Sequence, residues 1–107
     1  MTRLKRNEEG KIIYKSTSGG EIYCTYYPNG MIETRRVLTY DTKTENYKEY
    51  DLYNRVVKNI EKINGKIVTD LTTEYRFYKG IWFYKHHGIY NGRNIVLNGV
   101  QERGGVV

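Results

Sequence analysis

The chain has 107 residues, with 18 Lys or Arg against 12 Asp or Glu and a formal net charge of +6. A chain of this size buries only about 60 to 70% of the surface its unfolded form exposes, which suits one domain and excludes a second independent core. Val, Ile, Thr, Tyr, Phe and Trp together supply 43 residues while Ala is absent, which excludes an all-helical bundle. Cys24 is the sole cysteine, so no intramolecular disulfide forms and a reducing, cytoplasmic setting is the expectation. Met1–Gly10 lacks the apolar run of a signal peptide, and no apolar stretch approaches the ~20 residues of a membrane-spanning helix.

In chain order, residues 1–9 (MTRLKRNEE) read as a basic, flexible N-terminus, 10–97 as a single β-rich domain, and 98–107 as a flexible C-terminal tail. Inside the domain, turn signals recur at short intervals. They are Ser18-Gly19-Gly20, Pro28-Asn29-Gly30, Asp41-Thr42-Lys43, Tyr53-Asn54-Arg55, Asn64-Gly65, Lys79-Gly80, His87-Gly88 and Asn91-Gly92. Each holds or adjoins a residue that tolerates positive φ, as tight hairpin turns require. The spacing predicts an antiparallel meander of β-hairpins.

A weak repeat of 24–25 residues underlies the turns. Thr25–Ile32 (TYYPNGMI) lines up with Glu49–Val56 (EYDLYNRV) and then with Glu74–Ile81 (EYRFYKGI). In each, a tyrosine enters a turn and an aliphatic residue leaves it, and Asn54 replaces Gly30 without losing access to the left-handed backbone. The strings Tyr26–Arg35 (YYPNGMIETR) and Glu49–Lys66 (EYDLYNRVVKNIEKINGK) resemble bacterial MORN-like repeats and the related YD repeats of RHS-type proteins. The resemblance covers roughly residues 21–92 and departs most in the third unit, where Lys79-Gly80 stands in place of Asn-Gly. It implies an array of hairpins used for binding, in the MORN-like case often as an antitoxin component, and it carries over no catalytic residue.

A competing reading places one helix at about 45–63 in an α+β fold. On a helical wheel Tyr50, Leu52, Tyr53, Val56, Val57, Ile60 and Ile63 share one arc, and Asn64-Gly65 stands where a helix would stop. Several β-branched residues and the aligned Pro28-Asn29-Gly30 argue against it, and the meander is favoured.

The hairpin Thr73–His86 is the most informative element. A two-residue turn at Lys79-Gly80 sets Tyr78 opposite Ile81, Phe77 opposite Trp82, Tyr75 opposite Tyr84 and Glu74 opposite Lys85. Tyr75, Phe77, Trp82 and Tyr84 then line a core face. Glu74, Arg76, Tyr78, Ile81, Phe83 and Lys85 share the other face, which mixes rings with cations.

Catalytic constellations are absent from the pattern. Ser16 and Ser18 sit in a turn region, Cys24 lies in a strand pattern, and His86 and His87 point to opposite sides of an extended chain, without metal-ligand spacing. No enzyme activity, metal or cofactor is therefore expected. The expectation is a small basic binding protein whose sheet surface presents Arg35, Arg36, Arg55, Lys58, Lys62, Arg76, Tyr78, Lys79, Phe83, Lys85 and Arg93. Cations that neutralise phosphate beside rings that stack on bases suit nucleic acid or a nucleoprotein complex. A phage or mobile-element inhibitor of a nucleic-acid-guided defence nuclease, anti-CRISPR-like, has this size and charge. The alternative is a MORN-like interaction or antitoxin-type module on an acidic protein partner, and a homodimer through the aromatic face is expected in either case.

Overall fold

The computed structural model describes residues 2–101. Nine strands follow one another in sequence and in space: β1 (Arg3–Arg6), β2 (Ile12–Thr17), β3 (Gly20–Tyr26), β4 (Ile32–Thr39), β5 (Thr44–Tyr50), β6 (Val56–Ile63), β7 (Lys66–Tyr78), β8 (Ile81–Tyr90) and β9 (Arg93–Gln101). All neighbours are antiparallel, so the molecule is one open meander sheet. There is no helix among the described residues. The segment read alternatively as a helix is β5, the turn Asp51–Arg55 and β6, with Leu52 and Tyr53 of the supposed apolar arc exposed on that turn. β1 lies within the segment read as the N-terminus, and β9 enters the one read as the C-terminal tail.

Local chemistry accounts for the turns. Asn64-Gly65, Lys79-Gly80 and Asn91-Gly92 all have positive φ at both positions, as type I′ hairpins demand. The opposite end of the sheet repeats a different device. Asn7–Lys11, Tyr27–Met31 and Asp51–Arg55 each close on a bond from the first residue's N–H to the fifth residue's carbonyl. Each also places positive φ at the fourth residue, namely Gly10, Gly30 and Asn54. Each follows a register shift, at Lys5/Arg6, Thr25/Tyr26 and Glu49/Tyr50.

The structural repeat is therefore strand, bulge and five-residue turn. Its third copy is residues 3–11, whereas Glu74–Ile81 forms an ordinary two-residue hairpin instead. The copies that end in Lys11 and in Arg55 are fastened alike. Tyr26 donates its hydroxyl to the Ile12 carbonyl at 2.7 Å beneath Lys11, and Tyr75 donates to the Val56 carbonyl at 2.9 Å beneath Arg55.

His87-Gly88, read as a turn, lies inside β8, where Gly88 faces Leu71. Its φ of 135° is the reason a glycine stands there.

Directly opposed residues share a face and successive residues alternate, so the register assigns every strand side chain. The front face carries Tyr14, Glu21, Tyr23, Arg36, Tyr47, Lys58, Lys62, Arg76, Tyr78, Phe83 and Lys85. The back face carries Lys15, Ile22, Arg35, Lys48, Asn59, Tyr75, Phe77, Trp82, Tyr84 and His86.

Neither face is covered by another element among the described residues. The extents are 51 × 37 × 21 Å and the radius of gyration is 16.2 Å, against about 13 Å for a compact chain of about 100 residues. Among the described residues no apolar side chain is buried, and only Thr69 and Thr73 are. The expected core face of the Thr73–His86 hairpin is thus a half-buried layer: Phe77 is 56% exposed and packs on Trp82 at 5.0 Å, and the Tyr84 ring lies over Gly99 on β9.

Candidate functional site

Pairing divides the predicted binding residues into those already engaged and those left free. Arg55 is engaged most deeply. Its guanidinium meets Asp51 at 2.8 Å and lies 4.1 Å from the Tyr75 ring centre and 4.3 Å from that of Trp82. It fastens a turn to the back face and is not available to a ligand. Arg36 reaches Glu45 at 3.6 Å and covers the Tyr47 ring, and Lys58 reaches Asp70 at 3.6 Å. Lys62 stands opposite Glu45 and Ile67 on the front, and Arg93 opens the edge strand opposite Tyr90.

Arg76, Tyr78, Lys79, Phe83 and Lys85 come together at the far end of β7 and β8. Arg76 faces Phe83 directly, Tyr78 faces Ile81, and Lys85 lies between Glu74 and Asn98. The front-facing residues of this group are exposed, with Tyr78 at 57% and Phe83 at 36%. Neither Arg76 nor Lys85 holds an ion pair among the described residues; Glu74, directly opposite Lys85, is exposed and lies 3.5 Å from His87. Lys79 sits on the turn with its ammonium 5.3 Å from the Tyr78 ring. A shallow cleft lined by Arg76, Phe83, Lys85 and Asn98, with the Glu74 carboxylate also on its wall, opens beside the rings. Exposed Ile81 and Val100 border the group, with Val100 directly opposite Phe83. Sequence reasoning set Ile81 on this face opposite Tyr78 without counting it among the binding residues, and it missed Val100, which the register fixes once the Asn91-Gly92 turn is counted.

Arg35 is separate, on the back face and directly opposite Lys48. Like charges set opposite each other oppose strand pairing, and no carboxylate meets either cation among the described residues. Lys48 was not among the predicted residues; only its register with Arg35 reveals the pair.

A second front-face cluster surrounds Glu21 near β1. Tyr14 and Tyr23 donate to its carboxylate at 3.0 and 2.9 Å, and hydrogen bonding by Tyr40, Tyr23 and Tyr14 holds it below the usual carboxylate range. The same Glu21 bond raises Tyr23, while desolvation leads in raising Tyr26, Tyr40, Tyr47 and Tyr75.

The sign of the pH dependence follows. A raised phenol stabilises the fold fully below its ordinary pKa of about 10, and that stability is lost as pH rises through the raised value. Glu21 stabilises above its ordinary pKa of about 4.3 and loses that contribution as pH falls through its lowered value. The urea midpoint is expected to be flat from about pH 6 to 9 and to fall beyond about pH 10, together with phenolate absorbance. Phenolate formation at the free-tyrosine pKa with an unchanged midpoint would contradict this assignment.

Comparison with protein-family models, curated proteins and solved structures finds no match for this chain.

Proposed function

We propose that the protein is a non-enzymatic binding module whose front face, at Arg76, Tyr78, Lys79, Phe83 and Lys85, takes single-stranded nucleic acid, free or within a nucleoprotein complex. The observation that carries the reading is the exposed pairing of Arg76 with Phe83, flanked by Tyr78 and Lys85, with no ion pair to either cation among the described residues. Exposed rings offer stacking to any base, and the cations meet the backbone phosphates. An uncovered sheet suits this work, because domains ordinarily bury such a face under a second layer and here the ligand supplies it. The resemblance to MORN-like and YD repeats is consistent with a binding array. Action against a nucleic-acid-guided nuclease would use the same surface.

Fluorescence anisotropy with labelled single-stranded DNA and RNA tests this. Three phosphate contacts give a slope of log affinity against log salt of about −2, and Arg76→Ala flattens it by about 0.7. Phe83→Ala and Tyr78→Ala each weaken binding by about 1 to 3 kcal/mol. Binding that is absent at low salt, or unchanged by these three substitutions, rejects the reading.

A second reading, an acidic protein partner on the back face, is favoured by the opposed Arg35 and Lys48. Capture of one acidic protein that survives nuclease treatment and is lost in Arg35→Glu would select it.

A further inference from the structure

The two edges of the sheet are built differently. β1 is four residues long and carries Arg3, Lys5 and Arg6, so its own copy would be repelled and other strands discouraged, as short, charged edges do. β9 runs nine residues, Arg93–Gln101, and from Asn94 to Gln101 it has no charge, no proline and no bulge. Val96, Leu97 and Val100 on it are 61%, 55% and 51% exposed. A long, neutral, apolar edge is the form that templates another strand.

The register says which groups are free. The Asn91-Gly92 turn closes on the hydrogen-bonded pair Tyr90 and Arg93, so Arg93, Ile95, Leu97 and Gly99 direct their backbone groups inward to β8. Asn94, Val96, Asn98 and Val100 direct theirs outward, and no other strand among the described residues meets them.

We propose that this edge is a self-association seam, on which a second copy of the chain pairs antiparallel about a two-fold axis at Leu97. That register sets Asn94 opposite Val100 of the second copy and Val96 opposite its Asn98, each in both directions. Every outward N–H and C=O from Asn94 to Val100 is then used, whereas a two-fold at Val96 or Asn98 leaves an end residue of that run without its partner within it. Leu97 meets the second copy's Leu97 on the back face, and Ile95 meets its Gly99. No charge faces a like charge at any of these positions.

The contact is isologous and uses up β9, and β1 is guarded, so assembly stops at two. A two-fold axis normal to the sheet keeps both front faces on one side. The clusters around Arg76 and Phe83 of the two copies therefore share one continuous surface. The seam rests on the edge alone and stands whether or not that surface takes nucleic acid. It also differs from the face-to-face dimer expected from the aromatic residues.

Light scattering on the full chain reads the mass, expected at twice 12.7 kDa in the micromolar range. Val96→Pro removes an outward N–H without touching the β8 ladder and is expected to raise the dimer dissociation constant at least about tenfold. Leu97→Lys and Leu97→Glu are each expected to be monomeric, and their equimolar mixture to restore a dimer, because only the mixture sets opposite charges together on the axis. The mixture still decides the matter if Val96→Pro does not fold. A monomeric wild type at high micromolar concentration overturns the seam. So does a dimer that Leu97→Lys leaves intact, which would place the contact on a face.

Discussion

Gly88→Ala lowers the stability of the fold by about 3 kcal/mol. Gly88 sits mid-strand in β8 at φ 135°, outside the range that L side chains adopt without strain. A Cβ there would also overlap the Asp70 carbonyl oxygen, a backbone atom of β7 that moves only if the ladder moves. The β7–β8 ladder runs from Asp70–Ile89 to Tyr78–Ile81 and is matched in length only by β8–β9, so the disturbance falls on one of the two longest seams of the sheet. Two controls separate the causes. Gly80→Ala meets open space at φ 77° and should cost about 1 kcal/mol from backbone strain alone, while Gly19→Ala, with only the Thr17 hydroxyl within contact, should be nearly neutral. Urea denaturation of the three variants gives the order, and a Gly88→Ala midpoint within error of Gly19→Ala would refute the account.

Arg55→Ala follows at about 2 to 3 kcal/mol. The side chain is 16% exposed, bonded to Asp51 and stacked on Tyr75 and Trp82, so truncation strands a carboxylate and uncovers two rings. Arg55→Lys should recover less than half, since an ammonium keeps the charge but not the flat plane that meets both rings. Trp82 is the only tryptophan, and its fluorescence should shift in both variants. Full rescue by Lys would mean that charge alone matters at this turn.

Much of the hairpin geometry was legible because turn chemistry is local. Asn64-Gly65, Lys79-Gly80 and Asn91-Gly92 marked their own turns, and the pairing from Glu74–Lys85 to Tyr78–Ile81 came out as counted. What misled was the assumption that a glycine beside a polar residue is a turn. Gly88 has positive φ for a reason found in a neighbouring strand, which no local window contains. The first five-residue turn was overlooked although Asn7-Glu8-Glu9-Gly10-Lys11 and Asp51-Leu52-Tyr53-Asn54-Arg55 share a form. Each begins with an Asx side chain that accepts backbone N–H bonds, and each ends in a cation that covers a tyrosine. The candidate site was legible in residue type but not in availability. Arg36, Arg55 and Lys58 look as free as Arg76 in the sequence, and only register places a carboxylate or a ring beside them. The opposed Arg35 and Lys48 needed the same information.

That no apolar side chain is buried among the described residues has a thermal consequence. Heat capacity of unfolding scales with the apolar surface newly wetted, and here much of that surface is wet already, so the increment should fall below the usual ~12 to 15 cal/mol/K per residue. A small increment flattens the curve of stability against temperature, which lowers the temperature of cold denaturation and lessens the gain from moderate cooling. Since each strand pairs only with its neighbours in sequence, the chain also resembles a row of coupled springs more than a single cooperative block. Calorimetry should then give a broad transition in which the ends of the row yield before its middle.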